Sequence, residues 1–214
     1  MEMRFYRFIT LVMIQWLSLL QAEAITLHVV DQHGRSVEGA VVEFTGEQKT
    51  QKNNTLAIMD QVNKQFNPEL LIVKLGDKVT FPNSDEIRHH VYSFSPAKIF
   101  ELKLYKGKHG TPLVMDTAGV VILGCNIHDS MVGYIYVTPT TAMKTNTQGK
   151  LNFTPLEHHP ITLWHPNQAL ELHTVTPIAM PSSHDNWQVT LNTQLPAPRD
   201  TFSERFKSNA TVSP

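Results

Sequence analysis

Cysteine is the scarcest chemistry-bearing residue here: Cys125 stands alone among 214 residues, so no internal disulfide can form. Neither sign of charge prevails either. The 18 Lys and Arg against 19 Asp and Glu give a net charge of -1, without the basic footprint a nucleic-acid binder carries. Heptads, a phosphate-binding P-loop, a dinucleotide fingerprint and internal repeats are all missing. The apolar run at 8–20 is short of the roughly 20 residues that span a bilayer, and no later run approaches that length. What that first run does have is Arg4 and Arg7 before it and Ala22-Glu23-Ala24 after it, the layout of an export signal cleaved after Ala24. An uncleaved anchor is the alternative. Loss of residues 1–24 removes two charges of each sign and leaves the net charge unchanged. The mature chain, expected in the periplasm or secreted, has about 190 residues, enough for one large or two small domains. A lone thiol in an oxidising compartment then needs burial or a bound partner.

Period-two patterns dominate the mature chain. Ile25, Leu27 and Val29 alternate with polar neighbours, and residues 40–44 form a second strand after the turn residues 31–34. Two strands bury no core alone, so they must find partners far along the chain. Residues 46–55 are polar or small and predict a long loop. Strands are expected at 56–59, at 70–74 and 79–81 around a hairpin-like Gly76-Asp77 turn, at 89–95, at 119–123 and at 133–137. In the 89–95 strand, His89, Val91 and Ser93 share one face and His90, Tyr92 and Phe94 the other. Residues 96–112 show few strand signals and predict an excursion with at most a short helix. Short turn-separated strands return at 151–153, 161–164 and 187–191, and the tail from Pro196 is expected to lie loose on the surface. An all-β sandwich, or a pair of them, is the architecture that fits.

Cys125, His128 and Met131 fall at i, i+3 and i+6 in a short connection between two apolar strands. Thiolate and thioether are soft donors that favour copper(I), and imidazole serves copper in both oxidation states. A second imidazole must come from elsewhere. His89 is the best placed, since it ends a strand-leading loop and shares a face with Val91. Taken singly, each residue has a plainer explanation: Cys125 as a small buried hydrophobe, Met131 as core filler, His128 as a surface residue. Structural zinc prefers cysteine pairs or Cys2His2, and methionine adds little to a zinc site. Cys/His nucleophilic catalysis would need an orienting third group that the window does not supply. His109, His158, His159 and His165 suit ordinary surface roles, with a secondary copper site as the alternative. Trp164 and Trp187 suit core or inter-domain packing.

The windows Phe81-Pro82-Asn83-Ser84-Asp85, His89-His90-Val91-Tyr92-Ser93-Phe94-Ser95-Pro96 and Gly124-Cys125-Asn126-Ile127-His128-Asp129-Ser130-Met131 together resemble the plastocyanin-like cupredoxin family, with a ligand loop most like that of amicyanin. The resemblance covers about residues 56–138. It implies a Greek-key β-sandwich holding one copper ion on His89, Cys125, His128 and Met131. His90 stands where the family usually has Asn, and it could compete with His89 for the metal. The family's role implies a carrier of single electrons between redox partners, not an enzyme, with His128 as the port and the thiolate shielded by the 120–123 strand and Phe94. Copper binding for delivery to another exported protein is the alternative. The flanks, Val29 to Val42 and Thr145 to Pro166, resemble a carboxypeptidase-regulatory-like or transthyretin-like β-sandwich. Taken whole, the chain resembles exported proteins known as methylamine utilisation proteins. The expected layout is a signal peptide at 1–24, first strands of the second sandwich at 25–50, the cupredoxin at 56–138, the rest of the second sandwich at 139–196 and a flexible tail at 197–214.

Overall fold

A computed structural model describes residues 24–45, 54–108, 110–154, 160–180 and 187–194. The expected export signal before Ala24, most of the 46–55 loop, His109, His158, His159 and the tail from 197 lie outside the described residues. Those described fold entirely as strands and turns, with no helix among them.

β1 (Ile25–Val30) and β2 (Val41–Phe44) come first. The middle of the chain supplies β3 (Leu56–Ile58), β4 (Asp60–Val62), β5 (Gln65–Asn67), β6 (Leu70–Lys74), β7 (Lys78–Thr80), β8 (His89–Ser95), β9 (Lys98–Tyr105), β10 (Leu113–Val114), β11 (Gly119–Cys125) and β12 (Val132–Thr138). β13 (Thr141–Lys144), β14 (Lys150–Phe153), β15 (Ile161–Trp164), β16 (Thr176–Ile178) and β17 (Trp187–Thr190) close the sequence. The first two strands do find distant partners. β1 lies between β14 and β17, and β2 between β13 and β15. Their apolar faces meet in one core that joins Ile25, Leu27, Val29, Val42 and Phe44 to Leu151, Ile161, Leu163, Trp187 and Val189.

The middle strands build a five-stranded sheet in the order β6-β12-β11-β8-β9, with β10-β7-β3 and the β4-β5 hairpin beside it. Met59, Phe66, Val79, Phe81, Val91, Leu123, Cys125, Met131 and Ile135 share its core. On the opposite face of the five-stranded sheet, Leu70, Val120, Tyr134 and Tyr136 pack against Val41 and Trp164 of the flanking strands. The Trp164 ring stands 5.5 Å from Tyr134 and 5.9 Å from Tyr136, centroid to centroid. Glu43 adds a polar bolt at the same junction, accepting hydrogen bonds from Tyr136 (2.8 Å), Thr138 (2.6 Å) and Thr140 (2.9 Å) hydroxyls.

Three local expectations are corrected. Residues 98–105 form a strand, not an excursion, because Ile99, Glu101 and Lys103 point outward from a sheet edge where only every other residue need be apolar. The Gly76-Asp77 turn joins no hairpin: β6 and β7 belong to different sheets, and Asp77 secures the crossing by accepting the amides of Lys74 (2.8 Å) and Thr55 (2.9 Å). Phe94 covers no thiolate. It is 78% exposed and packs on Tyr92 at the outer face of β8.

Candidate metal centre

Cys125 is the last residue of β11 and pairs in register with Val91 of β8. That register puts Cys125 Sγ within 3.7 Å of Nδ1 of His89, the first residue of β8. The chain then turns tightly, with the His128 amide donating to Cys125 O (3.4 Å) and the Met131 amide to His128 O (2.9 Å). This brings His128 Nδ1 to 3.8 Å from the same sulfur. The three donor atoms all lie within 4.8 Å of one another, and the two imidazole rings sit 5.0 Å apart at 60°. His89 is fully buried and Cys125 is 2% exposed. Met131 is 1% exposed and shares a core cluster with Cys125.

The donor set suits a single ion. Bonds of about 2.3 Å to sulfur and about 2.0 Å to nitrogen, subtending an angle of about 120°, place the two donors roughly 3.7 Å apart. Sulfur-to-nitrogen distances of 3.7 and 3.8 Å are therefore compatible with both imidazoles and the thiolate holding one ion, a soft and borderline donor set that suits copper. Metal binding also needs neutral imidazoles. Burial first, then electrostatic coupling to the His89 ring and to Lys64, holds the His128 imidazole below its ordinary range, against the pull of Asp85.

His90 takes no part in this cluster. Its Nε2 lies on the opposite face of β8, 2.9 Å from Glu101 Oε1, and its ring stands edge-on to Tyr92. The hydroxyl end of the Tyr92 ring in turn lies against Gly124, where a Cβ would sit 2.7 Å from it. The residue before Cys125 must therefore be small.

Asp85, the last residue of the Phe81-Pro82-Asn83-Ser84-Asp85 window, is a site residue that sequence reasoning missed. Its Oδ2 lies 2.7 Å from His89 Nε2, the nitrogen turned away from Cys125. Its two oxygens also accept the amides of Asn63 (2.5 Å) and Lys64 (2.8 Å), at the tip of the β4–β5 hairpin. Burial works to raise the Asp85 carboxyl, but these hydrogen bonds outweigh it and hold the group below the usual carboxylate range. Asn83, 3% exposed, fixes the loop from inside, donating Nδ2 to the carbonyls of Ile87 (2.9 Å) and Tyr105 (2.8 Å) and accepting the Asp85 amide (3.0 Å). Opposite His89 in β9, Tyr105 donates its hydroxyl to Phe81 O (2.6 Å), and burial pushes that phenol up to about 12. An acidic residue four positions before a candidate ligand histidine was the signal available.

No protein-family model matches this chain, and no curated protein matches it. Solved structures do. A reduced tryptophan-to-tyrosine variant of amicyanin is 22% identical over 40% of this chain and 85% of its own, with a TM-score of 0.36. The purple cupredoxin from Nitrosopumilus maritimus is 22% identical over 40% of this chain and all of its own length (100%), at 0.34. A copper-containing nitrite reductase from Thermus scotoductus is 20% identical over 44% of this chain and 24% of its own, at 0.36. At this degree of superposition the site has to be judged on its own geometry.

Proposed function

We propose that the protein is an exported type 1 copper protein that passes single electrons between redox partners, with His89, Cys125 and His128 as strong ligands and Met131 as the weak one. The observation that carries this reading is the convergence of one buried thiol and one nitrogen from each of two imidazoles within 4.8 Å. Copper bound there would supply a one-electron couple between its +1 and +2 states. The protein's contribution is rigidity. His89 is immobilised between Asp85 and the core, Cys125 is pinned by the β11–β8 register, and His128 is set by two successive turns. Little rearrangement of the donors is then required when the charge of the centre changes.

His128 is only half-buried, and Ile127 beside it is 49% exposed, which favours this edge as the port through which a donor or acceptor exchanges electrons. No substrate bond is made or broken in this role, so the protein is not read as an enzyme. We assign residues 56–138 to a cupredoxin-type domain, and 25–50 with 139–196 to a second sandwich of the carboxypeptidase-regulatory-like or transthyretin-like kind. The separate core built from β1, β2 and the strands after 140 supports that division. Among the described residues no helix is long and apolar enough to cross a membrane, and the N-terminal motif favours the periplasm or the exterior.

A redox titration of the mature protein loaded with one equivalent of copper tests the proposal. Reversible cycling between a coloured oxidised form and a colourless reduced form, with no loss of metal, is the expected result. Retention of copper(I) alone, with release on oxidation, would contradict electron transfer and favour delivery.

A further inference from the structure

We propose that Asp85 is the positioning residue of this centre: its carboxylate, clamped by the tip of the β4–β5 hairpin, fixes the His89 ring with Nδ1 toward Cys125 and favours the oxidised metal. This inference rests on the copper reading of the site.

The clamp begins in an unusual turn. Asn63 and Lys64 both adopt left-handed backbone, at φ 54° and 58°, positive at both central positions as a type I′ hairpin turn requires. Lys at such a position is disfavoured unless its surroundings fix it. Here both amides are consumed by one carboxylate, Asn63 N on Oδ1 and Lys64 N on Oδ2. A second acidic residue of the same hairpin, Asp60, ties down the neighbouring loop residue, accepting the Ser84 hydroxyl at 2.8 Å and its amide at 3.3 Å. The hairpin thus holds the 82–88 loop at two points, and only Asp85 continues on to a ligand.

An ionised carboxylate can only accept, so the 2.7 Å contact requires the hydrogen of His89 to sit on Nε2. Nδ1 is then a free lone pair, and it is the atom that faces Cys125 Sγ. Hydrogen-bonding the far nitrogen to an anion makes the near nitrogen a better donor and gives the ring a single orientation. A more basic ligand stabilises the more highly charged ion. A loop anchor with no effect on the site would need neither the ring contact nor a particular tautomer.

Two measurements on wild type, Asp85→Asn and a control, Asp60→Asn, test this. The first is nitrogen NMR of the histidine side chains in metal-free protein. Wild type and Asp60→Asn should show His89 locked with hydrogen on Nε2, and Asp85→Asn a mixture of tautomers. The second is the midpoint potential of the copper-loaded proteins. Asp85→Asn should weaken copper(II) relative to copper(I) by roughly tenfold or more, an upward shift of about 59 mV per factor of ten, while Asp60→Asn stays at the wild-type value. Hydrogen on Nδ1 in wild type, or equal potentials in the two variants, would overturn the proposal. If Asp85→Asn does not fold, the wild-type tautomer still decides. If no form of the protein binds copper, the copper reading fails and the metal-free tautomer alone judges the clamp.

Discussion

At the scale of single residues, the site turns on which side chains can be neighbours. The nearness of Cys125 to His128, and of His89 rather than His90 to both, follows from a short loop and the two-residue period of a strand, which leave few alternatives. Asp85 was not legible in the same way. Its role depends on amides from residues 63 and 64, a contact that no local pattern announces. Phe94 was misplaced because an aromatic near a ligand suggests a shield, whereas strand alternation sends it to the outer face with His90 and Tyr92. Gly124 leaves room for a ring. Gly124→Ala drives a methyl into Tyr92, and the overpacking should cost about 1–3 kcal/mol. Denaturant unfolding of the metal-free protein checks this, and unchanged stability would mean that Tyr92 moves aside freely. His165 carries a pH dependence. Burial first depresses its imidazole below the ordinary value, against hydrogen bonding to Glu38 and the charge of Glu69, while its Nδ1 accepts the Asn167 amide at 3.0 Å. The folded state therefore prefers the neutral ring. Its contribution is full above an unfolded value of about 6.5 and is lost as falling pH protonates the unfolded chain first. Thermal melts from about pH 7.5 to about pH 5.5 should show a smaller decrease for His165→Gln than for wild type. An equal decrease would assign the pH dependence elsewhere.

Among elements, the interior strands were the easier to find. β11 is a run of Val, Ile and Leu and β12 a buried run of Val, Ile and Tyr, and β1 and β2 visibly lacked local partners. The edge strand β9 was harder, since a half-exposed strand interleaves Lys and Glu with its apolar residues and looks polar overall. The β6–β7 turn shows a similar limit: turn chemistry marks where the chain reverses, but not whether the strands it joins will pair. The strand β15 is the element on which the two groups of sheets lean, through Trp164. This ring is fully buried, meets both Tyr134 and Tyr136, and donates its indole N–H to Leu172 O at 2.7 Å. Trp164→Ala should cost about 3–5 kcal/mol by opening a cavity and leaving that carbonyl without its donor. Calorimetry of the metal-free protein would show it, and a loss below about 1 kcal/mol would mean the junction collapses around the gap.

For the whole molecule, the arrangement separates the candidate site from the flanking strands. All three donor atoms belong to the middle of the chain, while β1, β2 and β14 to β17 form a core of their own, and β2 and β15 touch the five-stranded sheet on the face opposite Cys125. Glu43→Ala, which removes the acceptor of three hydroxyls at that junction, should destabilise the protein by about 1–3 kcal/mol. It should leave the spectrum of the copper-loaded protein unchanged, and a shifted spectrum would instead show that the flanking strands influence the centre. The most direct test of the central claim is the visible absorption of the mature protein after addition of one equivalent of copper(II), measured beside Cys125→Ser. An intense sulfur-to-copper charge-transfer band in the wild type, absent from Cys125→Ser, is the predicted result. A colourless wild type, or the same band in both proteins, would contradict a copper centre built on His89, Cys125 and His128.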